Sequence, residues 1–138
     1  MNKLPDDIRL KRFLVVDDYE SMRIMVADHL KQMGVENIQF CKSGNEALAL
    51  INNLAGTPTQ IEVLLTDLMM DDGSGLDLVK GLRSQPKFKS LPILMVTSKA
   101  EVAFVIACVQ AGVNTYIVKP WKIEDLNKKI IDTVNKAK

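Results

Sequence analysis

The sequence has few of the features that mark secreted, membrane-spanning or nucleic-acid-binding proteins. Lys and Arg total 18 and Asp and Glu total 17, so a net charge of +1 provides no field that would draw the chain to nucleic acid or to an anionic membrane. No apolar run approaches the roughly 18 residues of a transmembrane helix, and the first residues lack the apolar stretch of a secretion signal. For a chain of 138 residues, these absences predict one soluble cytoplasmic domain without nucleic-acid partner or membrane insertion.

Cysteine and histidine are also scarce. The two cysteines, Cys41 and Cys108, lie within apolar segments at no metal-ligand spacing. We expect them to be small buried hydrophobes in a reducing compartment rather than redox groups. The single histidine, His29, lies beside the apolar stripe of a predicted helix, which favours a structural role over a phosphohistidine or a metal ligand.

Four short apolar runs each end on a side chain that can handle a phosphoryl group or its metal ion. The ends are Asp17 and Asp18 after 13–16, Asp67 after 63–66, Thr97 and Ser98 after 93–96, and Lys119 after 116–118. In an open parallel α/β sheet the carboxyl ends of the strands face one crevice, where ligands bind. We therefore expect three carboxylates, a hydroxyl and an ammonium to converge at one point.

Longer helical patterns separate these runs, and one further strand is predicted at 38–41. Capping boxes at 43–46 and 98–101 mark helix starts, and Gly34 and Gly112 are suited to helix ends. The predicted helices cover about 20–33, 44–54, 75–84, 99–111 and 124–136. Because strict alternation is typical of βα units, we predict a doubly wound α/β fold with five parallel strands in the order 2-1-3-4-5 and five helices.

The residues at the strand ends suit phosphoryl transfer assisted by a metal ion. Asp17 and Asp18 are adjacent carboxylates that repel each other, and Mg²⁺ would relieve that repulsion, although one of them could simply cap the next helix. Asp67 beside such an ion is a plausible nucleophile toward phosphorus, giving an acyl phosphate. Lys119 supplies a compact positive charge, while the Thr97 hydroxyl and nearby backbone N–H groups can donate to phosphoryl oxygens.

Five motifs carry a family pattern: LVVDD at 14–18, DLMM at 67–70, LPILMVT at 91–97, QAG at 110–112 and YIVKP at 116–120. In these motifs the chain resembles the receiver domains of two-component response regulators, most closely the stand-alone chemotaxis type. The resemblance covers nearly everything from Arg12 onward, so we expect a lead-in at 1–11 and a receiver domain at 12–138 with no output domain. It implies a flavodoxin-like arrangement of the predicted sheet and helices.

The resemblance also implies a role for each site residue. Asp67 would be the phosphoacceptor. Mg²⁺ would be bound directly by Asp18, Asp67 and the backbone carbonyl of Met69, and through water by Asp17. The phosphoryl group would be bound by Lys119, Thr97 and the backbone of Ser98, and Thr97 and Tyr116 would be the switch pair. The bond from Lys119 to Pro120 would be cis.

One position departs from the family pattern. The family usually places proline four residues after the phosphoacceptor, and here that position is Asp71. We expect the loop at 70–75 to be looser and more acidic than is usual. Trp121 stands where an aromatic residue commonly follows the Lys-Pro pair.

The helix after Thr97 is apolar on nearly every side, which is unusual for a helix in an outer layer. The stripe Val102, Val105 and Val109, together with Tyr116 and Trp121, is therefore predicted to bind a partner. The resemblance implies a histidine kinase, or slowly reacting small donors such as acetyl phosphate, as phosphodonor. It implies as target a flagellar switch or other effector, or a second copy of the chain in a phosphorylation-dependent homodimer.

Other functions remain open at this point. An aspartate-nucleophile phosphohydrolase would carry Asp-x-Asp-x-Thr after the first strand, where this chain has DDYES at 17–21. A flavodoxin-like cofactor binder would need a phosphate loop there, which Asp17 and Asp18 would repel. A degenerate receiver serving as a scaffold would lack the intact set of site residues. The chain could also be a receiver from a larger regulator or a single-domain phosphorelay intermediate.

Overall fold

A computed structural model describes residues 3–98 and 103–138, and strands and helices alternate through them as predicted. The strands are β1 (Arg12–Val16), β2 (Asn37–Cys41), β3 (Val63–Asp67), β4 (Ile93–Ser98) and β5 (Thr115–Lys119). The helices are α1 (Asp6–Arg9), α2 (Glu20–Gln32), α3 (Gly44–Leu54), α4 (Gly75–Arg83), α5 (Val105–Ala111) and α6 (Ile123–Ala137), with a 3-10 turn at Pro86–Phe88.

The five strands form one parallel sheet in the order β2-β1-β3-β4-β5, which confirms the predicted order. Val16 pairs with Thr66, Asp67 pairs with Val96, and Ser98 pairs with Lys119. The carboxyl ends of the four neighbouring strands thus lie at one edge, with offsets of at most two residues between neighbours. This register brings the polar residues that follow the apolar runs to the same edge of the sheet.

Helices cover both faces of the sheet, so the core has two layers. Strand residues alternate between the two layers. In the first layer, Leu14 and Val16 pack on the side of α3, α4 and α5. In the second layer, Phe13 and Val15 pack on the side of α2 and α6. A strand buried on both faces reads as a continuous apolar run rather than an alternating one, which is the pattern of β1, β3 and β4. Cys41 and Cys108 are buried in the first layer with free thiols, as expected.

Local signals mark three of the helix boundaries. The Ser43 hydroxyl accepts a hydrogen bond from the Glu46 N–H, and the Ser74 hydroxyl accepts one from the Asp77 N–H, so both serines cap helices at the predicted positions. Gly112 follows α5 with a φ of 114°, a conformation that glycine adopts without steric cost.

The predicted lead-in at 1–11 contains the short helix α1 and packs against the core. Leu4 and Ile8 are buried in the second layer, and the Leu4 N–H donates to the Met33 carbonyl at 2.8 Å. Arg9 forms ion pairs with Asp6 at 2.7 Å and with Glu36 at 2.9 Å. A helix of four residues is too short to show apolar periodicity, so α1 could not be predicted from a sequence pattern.

The helix after β4 is only partly described. Residues 99–101 of its predicted capping box lie outside the described ranges. Val102 of the predicted partner surface lies outside them as well. Residues 103–104 form a 3-10 turn, and α5 then runs to the predicted end at Ala111. Among the described residues, none of the helices is both long and apolar enough to cross a membrane.

Candidate functional site

Three carboxylates meet at the carboxyl edge of the sheet. Asp17 and Asp18 follow β1, Asp67 ends β3, and each offers an oxygen within 4.8 Å of the other two. Asp17 and Asp67 are only 3% and 4% exposed, whereas Asp18 is half-buried. The convergence predicted from four separate stretches of sequence is therefore present in the structure.

Lys119 reaches the carboxylates from the end of β5. Its Nζ lies 3.1 Å from Asp67 Oδ1 and 3.6 Å from Asp17 Oδ2. Among the described residues, this ammonium thus contacts two of the three carboxylates. A nearby cation stabilises the charged form of such a carboxylate group, and a divalent ion would do so for all three.

The oxygens of the site fit a magnesium ion. Asp18 Oδ1 is buried and has no hydrogen-bond partner among the described residues, and a buried acceptor left in that state costs free energy. Asp17 is held differently: its Oδ1 accepts from the Tyr19 N–H at 3.0 Å, and its carbonyl accepts from Arg23 at 2.7 Å. Mg²⁺ prefers one or two carboxylates together with water or phosphate oxygens, which matches this donor set.

Thr97 lies next to the carboxylates at the end of β4 and is fully buried. Its hydroxyl donates to the Ser98 carbonyl at 3.3 Å, and Ser98 pairs with Lys119 in the sheet. The peptide bond from Lys119 to Pro120 is cis, as the resemblance implies. Lys119 therefore contacts Asp67 directly, and Thr97 and Ser98 follow the residue that pairs with Asp67 in the sheet.

The loop after Asp67 is held close to the site. A Cβ on Gly75 would lie 2.1 Å from the Asp67 carbonyl oxygen, so α4 begins in direct backbone contact with the end of β3. Asp71 and Asp72 are exposed on this loop, whereas the Met69 side chain is 51% exposed at its start. The sequence indicated the helix start at Ser74 but gave no signal for this close approach.

The residues of the predicted partner surface differ in how far they are exposed. Val109 is 52% exposed, whereas Val105 and Tyr116 are half-buried. Ile106 of α5 is 71% exposed, and Phe104, just before the helix, is 50% exposed; neither lies on the predicted stripe. A groove of about 420 Å³ lies between β5 and α6, and its lining includes Tyr116, Trp121, Asp125, Lys128 and Lys129.

Trp121 and His29 contact each other on the side of the sheet that α2 and α6 cover. The indole Nε1–H donates to His29 Nδ1 at 3.1 Å, and the two rings meet edge to face with centroids 6.2 Å apart. Both side chains are half-buried. His29 therefore has the structural contact that the sequence favoured, and Trp121 joins the segment after Lys119 to α2.

Comparison with known proteins gives consistent matches over most of the chain. A family model described as the response regulator receiver domain matches residues 13–131. Chemotaxis protein CheY1 of Helicobacter pylori is 40% identical over 119 residues, which are 86% of this chain and 93% of that protein. The CheY homolog of Campylobacter jejuni is 37% identical over 123 residues, covering 89% and 92%.

Solved structures agree. A putative response regulator from Chloroflexus aurantiacus has a TM-score of 0.82 at 28% identity, covering 91% of this chain and 98% of that one. Chemotaxis protein CheY4 of Vibrio cholerae has a TM-score of 0.77 at 29% identity, covering 90% and 98%. The sheet order, the acidic edge and these matches lead to one assignment: the chain belongs to the response regulator receiver domains.

Proposed function

We propose that this receiver domain accepts a phosphoryl group on Asp67 and thereby switches a protein-binding surface. Receiver domains are signalling switches rather than conventional enzymes, so the phosphoryl group is the signal and not a product. The observation that carries the proposal is the meeting of Asp17, Asp18 and Asp67 within 4.8 Å, with Lys119 Nζ 3.1 Å from Asp67.

In the proposed reaction, a carboxylate oxygen of Asp67 attacks the phosphorus of the donor. A bond from oxygen to phosphorus forms, the bond from phosphorus to the donor breaks, and the leaving imidazole or acetate keeps the electron pair. The transition state is loose, so the protein acts mainly by positioning groups and balancing charge. Lys119, the Thr97 hydroxyl and the Ser98 backbone N–H would bind the phosphoryl oxygens.

The acidic edge would also hold the metal ion that receiver domains use. Asp18, Asp67 and the backbone carbonyl of Met69 are the proposed direct ligands, and Asp17 would act through water. A bound Mg²⁺ would supply positive charge that offsets the phosphoryl oxygens. The buried Asp18 Oδ1, which has no partner among the described residues, supports this assignment.

Phosphorylation adds negative charge at Asp67, and the proposed response is movement of Thr97 toward it. That movement opens space for Tyr116, which lies on the neighbouring strand and is half-buried. Full inversion of such a two-state switch from 1:99 to 99:1 needs about 5.5 kcal/mol of differential stabilisation. Charge-assisted hydrogen bonds from Lys119 and Thr97 would supply a large share of it.

The proposed phosphodonor is a histidine kinase, with slow transfer from small donors such as acetyl phosphate and slow self-hydrolysis. The proposed output surface consists of α5, β5 and α6, including Val105, Val109, Tyr116 and Trp121, with Val102 beyond the described residues. Relatives covered over nearly their full length are chemotaxis proteins, so we place cytoplasmic chemotaxis signalling through a flagellar-type effector ahead of a phosphorelay role. A phosphorylation-dependent homodimer is the other proposed use of this surface.

Intact-mass measurement with acetyl phosphate and Mg²⁺ tests the proposal. The parent should gain the mass of one phosphoryl group, and Asp67→Asn should gain none. Asp77→Asn is a matched control, because it removes an exposed carboxylate in the first turn of α4 and should behave as the parent does. A full gain in Asp67→Asn would place the phosphoacceptor elsewhere, and no gain in the parent would contradict the proposed function.

A further inference from the structure

The loop between β3 and α4 is anchored at both of its ends beside the metal-binding edge. The Leu68 N–H donates to the Val96 carbonyl at 3.1 Å, and the Leu68 carbonyl accepts from the Gly75 N–H at 2.8 Å. Met69, the proposed carbonyl ligand, comes directly after the first anchor. Its carbonyl direction therefore depends on how the rest of the loop is held.

The middle of the loop is held by the first turn of α3. The Gly44 N–H donates to the Gly73 carbonyl at 3.0 Å, and the Asn45 N–H donates to the Asp72 carbonyl at 3.3 Å. The Asn45 side chain adds a third bond, from Nδ2 to Asp72 Oδ1 at 2.8 Å. Because the first N–H groups of a helix have no partner within the helix, these bonds satisfy α3 as well as the loop.

The contact between the loop and α3 leaves no space for added side chains. A Cβ on Gly44 would lie 2.4 Å from the Gly73 carbonyl oxygen. Gly73 has a φ of 82°, and a Cβ there would lie 2.8 Å from the Asn45 N and Oδ1 atoms. The two glycines therefore allow the backbone of the loop to sit directly on the helix start.

These anchors leave a short span of three residues, Met69, Met70 and Asp71, between Leu68 and Asp72. Proline would stiffen such a span through its fixed φ, and this chain has Asp71 at the position where the family usually has proline. The bond from Asn45 to Asp72 closes the far end of the span.

We infer that Asn45 is a positioning residue for the metal site, which it serves by clamping Asp72 and so fixing the path of the Met69 carbonyl. The inference rests on the proposed function, since it assumes that Met69 binds the metal ion. Preorganising a ligand lowers the ordering cost that binding would otherwise include. The clamp would thus restrict the conformation of the loop, as a proline would.

Three variants separate the clamp from the charge of Asp72. Asn45→Ala removes the side-chain donor and changes no charge, whereas Asp72→Asn removes a charge and keeps the Oδ1 acceptor. Asn53→Ala is the matched control, because Asn53 is an exposed asparagine on the same helix. The readouts are the dissociation constant of Mg²⁺, measured by titration calorimetry, and the melting temperature without metal.

We expect Asn45→Ala to weaken Mg²⁺ binding by about 10-fold, the low end of the effect of partners that orient metal ligands. Asp72→Asn should stay within about 2-fold of the parent, and Asn53→Ala should match the parent. Equal affinity in Asn45→Ala and Asn53→Ala would overturn the clamp, even if Asn45→Ala melted at a lower temperature. If Asp72→Asn were the only variant to bind Mg²⁺ more weakly, the charge of Asp72 and not the Asn45 clamp would support metal binding, and the inference would be wrong. A parent that fails to bind Mg²⁺ would contradict the proposed function and this inference with it.

Discussion

At the scale of single residues, Met69 has an exposed side chain beside the proposed phosphoacceptor. It is 51% exposed at the start of the loop after Asp67, two residues beyond the proposed phosphoacceptor. An apolar side chain there cannot orient an attacking water by hydrogen bonding. Lys99, two residues beyond Thr97, is the other position that we expect to affect hydrolysis, and it lies outside the described residues.

Met69→Asn should therefore hydrolyse its phosphoryl group faster than the parent, by about 10-fold, which corresponds to about 1.4 kcal/mol of barrier. The measurement is the decay of the phosphorylated mass after removal of the donor. Leu10→Asn is a suitable control, because Leu10 is 47% exposed at the end of α1. Equal or slower decay in Met69→Asn would show that this side chain does not govern access of water.

The buried thiols give a prediction of pH dependence. Burial, together with the neighbouring Glu46 carboxylate, raises the pKa of Cys41 from 9.0 to about 12 in the folded protein. Burial also raises the pKa of Cys108. A raised folded pKa stabilises the fold at pH below the unfolded value, and that contribution falls as pH rises from about 9 toward 12.

We therefore expect the free energy of unfolding to decrease above about pH 9, and to decrease less in Cys41→Ala. At pH 8 neither thiol should react with a disulfide reagent until the chain unfolds, since the thiolate is the reactive form. Rapid labelling of both thiols in the native protein would show that the cysteines are accessible and contradict the interpretation of them as core residues.

At the scale of elements, α5 is the helix with the most unusual surface. It exposes Ile106 and Val109, and Phe104 lies exposed just before it, although large exposed apolar patches are uncommon on soluble domains. Val105, by contrast, is half-buried, so a charge there would disturb packing as well as binding. Ile106, at 71% exposure, is the better position at which to test the proposed output surface.

Ile106→Asp should remove binding of the phosphorylated protein to its effector and leave phosphorylation by acetyl phosphate unchanged. Ile24→Asp is the matched control, because Ile24 is 53% exposed on α2, away from α5. Co-purification of the effector from the organism of origin and intact mass would give the two readouts. Normal effector binding by Ile106→Asp would move the output surface to another face.

The elements also show what sequence can and cannot predict. Doubly buried strands such as β3 are continuous apolar runs, and Ser43 and Ser74 mark helix starts through local hydrogen bonds, so both were predictable. The four-residue α1 and the turn at Pro86–Phe88 are too short to carry a period. Asn45 meets Asp72 from 27 residues away, and Trp121 meets His29 from 92 residues away; no local pattern reports such contacts.

At the scale of the whole molecule, the acidic edge joins metal binding to stability. Asp17, Asp18 and Asp67 repel one another when no cation is bound, and Lys119 offsets only part of their charge. Any ion that binds only the folded state stabilises it by mass action. The folded domain should therefore melt at a higher temperature in Mg²⁺.

At a concentration 100 times the dissociation constant, Mg²⁺ should add about 2.7 kcal/mol and raise the melting temperature of the parent by about 10 °C. Asp18→Asn should melt above the parent without metal, because repulsion is relieved, and should lose most of the Mg²⁺ increment. Asp28→Asn, an exposed change on α2, should keep the increment. An Asp18→Asn variant with the increment of the parent would remove Asp18 from the metal site.

The register of the sheet has a consequence for the reliability of the signal. The groups proposed to carry phosphorylation come from the ends of β1, β3, β4 and β5, and none of these strands can supply them alone. An unfolded or incompletely synthesised chain lacks the assembled edge. Under the proposed function, only folded molecules would therefore be phosphorylated, and unfolded copies would contribute no signal.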